Sequence, residues 1–434
     1  MKAWPASFFF APGRDAAKRQ ALLAPGVLIL PLVQPFRALR PAPGRAAEIL
    51  APPYDVLSSA EARERAKGKP WSFLHISKPE IDLDPATDPH DKAVYAKAAD
   101  NLQKMIAAGV LIRDASPCYY AYQLTWRGHT QTGVAVAASV ADYDTNRIRK
   151  HELTTPVKED DRVCQIEAIN AETGPVMIAY REAPAVDALI AGATSGVADM
   201  DVTADDGVRH QMWVIGDDAT VRSLTAAIDA LPALYIADGH HRSAAASRVS
   251  QARGGKSSAG SFLAVLFPYQ QMTILDYNRV LKDLRGRSAQ ALVAALGERF
   301  TVTPSAGQVR PVGASEFGMY LDSRWYRLAL HTDLIPSDPV GRLPVTLLAR
   351  NILEPLFGVI DQRTDKRVDF VGGGRGLDEL ERRVSSGDMA VAFALHPTAM
   401  ADLMAVADAG EIMPPKSTWF EPKLADGVVS HVLD

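Results

Sequence analysis

Short apolar runs recur along the chain, bounded by glycine, proline or clustered polar residues, and between them lie longer stretches with apolar positions at helical spacing. "CYYAYQLTWRG" (118–128) and "QTGVAVAASVADYD" (131–144) read as two strands joined by the turn "RGHTQ". "GPVMIAYRE" (174–182), "VRHQMWVIG" (208–216), "ALYIA" (233–237), "SFLAVLFP" (261–268) and "MTILDYNRVL" (272–281) predict further strands, several apolar enough to be buried on both faces. "KAVYAKAADNLQKMIAAG" (92–109) has an apolar stripe at helical spacing and stops at Gly109. "SAEARERAKG" (59–68), "APAVDALIAGAT" (183–194), "DATVRSLTAAIDAL" (218–231) and "LPVTLLARNILEPLFG" (343–358) predict helices, and "GMYLDSRWYRLAL" (318–330) predicts a hairpin.

Strands and helices mix without strict alternation, which predicts an α+β (mixed α/β) fold. The texture changes near Gly286, so the expected organisation is an α/β domain over 27–285 and a second α/β domain over 286–434 that packs on the site of the first. The pattern of a folded domain starts at "VLILPLVQPFRALRP" (27–41). Residues 1–26 lack a signal-peptide core and are expected to be an extension outside the fold.

Composition narrows the function classes. With 47 Lys+Arg against 51 Asp+Glu, the net charge of −4 leaves no overall basic footprint for nucleic acid. Two cysteines, Cys118 and Cys164, cannot form a disulfide framework, so a reducing cytoplasm is expected. No apolar run is long enough to span a membrane.

The chemistry concentrates in four places. Asp238-Gly239-His240-His241-Arg242 ends a buried strand and opens an alanine-rich helix. Such a junction aims backbone N–H groups and the positive end of the helix dipole at one spot, and Arg242 can fork onto a phosphate. The alternative is a plain N-cap with idle histidines. "HELTTPVKEDDR" (151–162) mixes acids, hydroxyls and bases, which suits a phosphate with a cation. Glu152, Lys158, Asp161 and Arg162 stand out in it, against the alternative of a solvated loop. "APPYDV" (51–56) places Tyr54 and Asp55 in a rigid turn, where Asp55 also fits as the cap of the next helix. "MPPKSTWFEPK" (413–423) offers Lys416, Ser417 and Thr418 to an anion without the glycines of a P-loop. "DQRTDKR", "FVGGGRG" and "LHPT" are weaker. No nucleophile elbow and no zinc motif is present.

In this order "APPYDV", "HELTTPVKEDDR", "ADGHHRSAAA", "LHPT" and "MPPKSTWFEPKL…GVV" resemble the bacterial and archaeal family called domain of unknown function 1015, from about Val27 to the C-terminus. More distantly, the D-G-H-H-R stretch resembles the phosphate-binding box of the ParB/sulfiredoxin-like superfamily, which includes CTP-binding partition proteins, sulfiredoxin and free-serine kinases that use ADP or ATP. That resemblance implies a ParB/sulfiredoxin-like core with large elaborations. It also implies a phosphate box at Asp238, Gly239, His240, His241 and Arg242, and an upstream acid that activates the substrate hydroxyl. Asp55 and Glu152 both compete for that last role.

Three readings follow. The first is phosphoryl transfer on a small hydroxylated metabolite, with serine or O-phosphoserine as substrate, in the kinase or the phosphatase direction. Asp55, Glu152, Asp238, His240 and His241 would be catalytic. Gly239, Arg242, Lys158, Arg162, Lys416, Ser417 and Thr418 would bind phosphate, with Mg2+ and a nucleotide in the kinase case. The second is a nucleotide-binding regulator without turnover. The third is a metal-dependent hydrolase built on His151, His240 and His241.

Overall fold

The computed structural model describes residues 31–255 and 257–434. The expected extension over 1–26 lies outside the described residues, as does the start of the 27–41 strand. The fold is α+β. In chain order its first sheet contains β1 (Tyr119–Trp126), β2 (His129–Ser139), β3 (Ile148–Arg149), β4 (Val176–Tyr180), β5 (Met200–Thr203), β6 (Arg209–Ile215), β7 (Leu234–Asp238) and β8 (Ser261–Pro268). They lie in the order β3-β7-β4-β8-β2-β1-β6-β5, and the short strand Val33–Gln34 pairs with β2. Only β7–β3 and β8–β4 pair in parallel; the other neighbours are antiparallel.

Period-two alternation sorts this sheet into two apolar faces. Along β8, Phe262, Ala264 and Leu266 face one core, while Leu263, Val265 and Phe267 face another. Along β2, Val134, Val136 and Ala138 join the first set, and Ala135 and Ala137 the second. One core is covered by Val186 and Ile190 of the helix Pro184–Ala193 and by Leu224 and Ile228 of the helix Asp218–Asp229. The other continues without a break into a second, six-stranded antiparallel sheet through Phe317, Phe393 and Leu348.

That second sheet includes Tyr277–Leu281, so it begins ahead of the expected boundary at 286. "MTILDYNRVL" is two strands rather than one. Thr273–Leu275 pairs with Trp419–Glu421, the chain breaks at Asp276, and Tyr277–Leu281 enters the second sheet. The C-terminal residues return to the first half of the chain, where Ser430–Val432 lies between Ala38–Pro41 and Ala171–Glu172. Among the described residues no helix is long and apolar enough to cross a membrane.

Two helices frame the site: α1 (Pro156–Ile169) and α2 (His240–Ala252). Ala245 and Val249 of α2 meet Ile166 of α1, and the small buried Ser243, Ala246, Ser247 and Ser250 let α2 lie close against its surroundings. Arg248 joins the two helices through Asp160 at 2.7 Å and Glu159 at 3.3 Å. "KEDDR" therefore lies on a helix, and two of its acids brace it.

Candidate functional site

The D-G-H-H-R segment is the junction between β7 and α2. Gly239 has φ +99°, a region that L side chains rarely adopt, and its N–H donates to the Asp238 carboxylate at 3.0 Å. No side chain caps α2. The first N–H groups of a helix have no intrahelical acceptor, so the turn presents His240, His241 and Arg242 amides and a positive dipole end.

These groups open on a cleft of about 310 Å³. Its lining includes Asp55, Glu152, Lys158, Asp238, Gly239, His240, His241, Arg242, Lys416, Ser417 and Thr418, brought together from four sequence motifs. Tyr54, His151, Tyr277, Trp419 and Lys423 are among the other lining residues. Lys423 pairs with Asp238 at 3.2 Å, and Arg242 lies 3.5 Å from Asp238 and 3.7 Å from Asp55. Burial alone would raise the Asp238 carboxyl, but the Lys423 and Arg242 charges hold it well below the usual carboxylate range. Asp238 is thus a fixed anion that anchors two cations. It is a poor proton acceptor.

The Glu152 carboxyl is pushed up, first by its enclosure in the cleft and then by Asp238. It lies 3.7 Å from His240 Nδ1. The His151 and His240 rings meet edge to face at 4.4 Å between centroids. Burial pushes His151 down to about 4 and His240 well below its ordinary value, so both are neutral at pH 7. His241 accepts a hydrogen bond from the Thr155 N–H at 3.2 Å and is also pushed down by burial.

The 413–423 loop is clamped from behind. Its Met413 N–H donates to the His151 carbonyl at 2.8 Å, and the Thr398 hydroxyl donates to the Ser417 carbonyl at 2.8 Å. The fully buried Arg279 donates to the carbonyls of Lys416 (3.0 Å) and Tyr277 (2.7 Å) and to Gln362 Oε1 (2.8 Å), with its guanidinium over the Phe370 ring. Burial pushes Arg279 down to about 9. These contacts fix Lys416 at φ +59° with its side chain in the cleft. The weak "LHPT" and "DQRTDKR" candidates thus hold the loop: Thr398 and Gln362 are among its anchors. Ser417 donates its hydroxyl to the Pro414 carbonyl at 2.5 Å, so its proton is already used within the loop.

Three expectations need correction. Arg162 does not line the cleft. Its guanidinium pairs with Asp161 at 2.6 Å, stacks on Tyr54 and borders a smaller neighbouring cavity. Asp161 in turn accepts from the Tyr95 hydroxyl at 2.9 Å and faces His90, so it is a brace as well. Asp55 does not cap the helix that follows. Ser58 does, in a capping box with Glu61. Asp55 sits instead on a short turn of 3-10 helix at the cleft, freed by that cap.

Sequence reasoning passed over Lys423 and Asp426. Lys423 closes the quoted 413–423 stretch and could have been weighed with Lys416. Asp426 gave no signal. It is fully enclosed in the neighbouring cavity beside Arg162 and Arg242, one of its oxygens has no partner, and burial pushes its carboxyl up to about 7.

The family model described as "Protein of unknown function (DUF1015)" matches residues 33–346. The chain belongs to that family. No curated protein matches this DUF1015 chain. Among solved structures, it is similar to a free serine kinase in complex with AMP, at 12% identity and a TM-score of 0.36, covering 70% of this chain and 91% of that one. It is similar to a conserved hypothetical protein from Pyrococcus furiosus at 13% identity and a TM-score of 0.35, over 68% of this chain and 94% of that one. It is also similar to C-terminally truncated SbnI from Staphylococcus aureus at 13% identity and a TM-score of 0.35, over 68% and 86%.

Proposed function

We propose that this DUF1015 protein transfers a phosphoryl group between a nucleotide, ATP or ADP, and a small hydroxylated metabolite, with serine and O-phosphoserine as the substrate pair. One observation carries the reading. The uncapped start of α2 and four cationic side chains (Lys158, Arg242, Lys416 and Lys423) converge on a cleft that also holds Asp55 and Glu152. Phosphoryl transfer asks a protein mainly for positioning and charge neutralisation, and this arrangement supplies both.

The α2 amides and Arg242 hold the transferred phosphate. Lys158 and Lys416 neutralise charge on the leaving side. Asp238 keeps Lys423 and Arg242 in place. Asp55 faces the phosphate across Arg242 and accepts the hydroxyl proton. The hydroxyl oxygen attacks the terminal phosphorus as the P–O bond to the leaving phosphate breaks. The products are O-phosphoserine and a nucleotide one phosphate shorter. In the phosphatase direction water takes the place of the hydroxyl, and O-phosphoserine yields serine and phosphate. A divalent cation such as Mg2+ would supply further neutralisation of the phosphate oxygens. Glu152, the cleft carboxylate paired with neither Arg242 nor Lys423, fits it. The site takes a phosphorylated small molecule rather than nucleic acid, in keeping with the net charge of −4.

The test is ³¹P NMR of the protein with serine, Mg2+ and ATP or ADP, and in parallel with O-phosphoserine alone. Appearance of O-phosphoserine supports a kinase, and release of phosphate a phosphatase. Asp55→Asn should abolish either while nucleotide binding persists. Tight nucleotide binding with no turnover would overturn the reading in favour of a nucleotide-binding regulator.

A further inference from the structure

We infer that the wall formed by His151, Glu152 and His240 is a binding site for one borderline divalent transition-metal ion, of the Zn2+ or Co2+ class, with an open position facing the cleft. One ring nitrogen from each histidine and one Glu152 oxygen all lie within 4.8 Å of one another. On an ion with ligands about 2.0–2.2 Å away, neighbouring donors stand roughly 3.3–3.5 Å apart. The site is therefore a contraction of at most about 1.4 Å from ligation. Glu152 is the member free to make that move, because its side chain is 46% exposed while His240 is 3% exposed.

A second observation points to a ligand. His151 is 2% exposed with its ring beside the Ile236 backbone, and no hydrogen bond of ordinary geometry reaches its buried Nδ1. A buried ring nitrogen left without a partner costs about 1–3 kcal/mol, and a metal or a bound water would remove that cost. The other contact in the cluster leaves the rings available. The His151 N–H approaches His240 Nε2 only at 3.5 Å, longer than a committed hydrogen bond.

The donor set decides the class of ion. Mg2+ prefers an octahedron of oxygens, whereas two imidazoles and one carboxylate suit Zn2+ and its neighbours. Three protein ligands leave a fourth position for water or for an oxygen of a molecule in the cleft, the pattern of catalytic rather than structural sites. The Met413 N–H bonded to the His151 carbonyl ties this wall to the 413–423 loop. Filling the site would therefore stiffen the anion-binding loop as well. The inference stands on the side chains alone and does not depend on the phosphoryl-transfer reading.

The test is titration of chelator-treated full-length protein with Co2+, followed by calorimetry and by its visible d–d absorption. One equivalent should bind with the intense absorption of a low-coordinate nitrogen/oxygen site. Glu152→Gln, a change on an exposed side chain that leaves the core intact, should weaken binding at least tenfold. His151→Ala and His240→Ala should abolish it. A wild-type protein that takes up no stoichiometric Co2+, or variants that bind as tightly as wild type, would overturn the site. Turnover with Mg2+ but no Co2+ binding would remove this inference and leave the phosphoryl-transfer reading standing. Co2+ binding without phosphate chemistry would do the reverse.

Discussion

Gly239→Ala is the sharpest single perturbation of the β7–α2 turn. At φ +99° an added Cβ would lie 3.2 Å from Arg242 Cζ, 3.3 Å from its Nε and 3.3 Å from the Val176 Cα. The first two contacts belong to a side chain tethered to the Pro175 carbonyl, and the third is backbone of the neighbouring strand, so neither side yields cheaply. A non-glycine residue in such a conformation costs about 1–3 kcal/mol, and overpacking adds about 1–3 kcal/mol. The sum predicts a loss of about 2–6 kcal/mol in urea unfolding followed by far-UV circular dichroism. The same substitution should displace Arg242 and weaken anion binding. Gly192→Ala is the contrasting case. It sits in a helix with ordinary φ and nothing within 4 Å of the added Cβ, so it should be neutral or stabilise by about 0.5–1 kcal/mol. A Gly239→Ala protein within 0.5 kcal/mol of wild type would refute the strained-turn reasoning.

Asp426→Asn tests the enclosed carboxyl. Its value of about 7 against 3.8 in the unfolded chain means that the folded protein keeps a proton the unfolded chain releases between those pH values, so its contribution to stability falls as pH rises, by about 4 kcal/mol in all. Melting curves from pH 5 to pH 8 should show Asp426→Asn gaining on wild type as pH rises; parallel curves would contradict the shift. Arg242→Ala should cost stability as well as anion affinity, about 2–4 kcal/mol, because it leaves the Pro175 carbonyl without its donor and removes one of two cations facing Asp238. Arg242→Lys should recover more stability than affinity, since it restores the charge without the fork; equal recovery of both would refute a bidentate role.

Much of this architecture was legible in the chain. The two-faced apolar alternation of β2 and β8, the 119–139 hairpin and the strand–glycine–helix junction at 234–252 follow from local pattern, and local pattern is what those elements obey. Asp55, Glu152, Lys158, Lys416 and the D-G-H-H-R segment were legible as separate candidates, and the fold brings them to one cleft. What was not legible depends on tertiary partners. Arg162 carries the same charge as Lys158 but sits four residues further along α1, where it stacks on the far side of Tyr54 and borders the smaller cavity instead. Asp426 is an ordinary aspartate until Arg162, Arg242 and Tyr54 enclose it. The break at Asp276 looks like the middle of one strand because both flanks are apolar; it separates two sheets because each flank finds a different partner. Ser58 displaced Asp55 as the cap because Glu61, at the reciprocal position, completes the box.

We propose that the start of α2 and the cations around it hold a phosphate. A crystal structure of the protein grown with ADP tests it most directly. Phosphate oxygens should lie within hydrogen-bond distance of the His240 and His241 amides, with Arg242 and Lys416 on the same group. A nucleotide bound elsewhere, or a cleft that stays free of phosphate at saturating ADP, would contradict it.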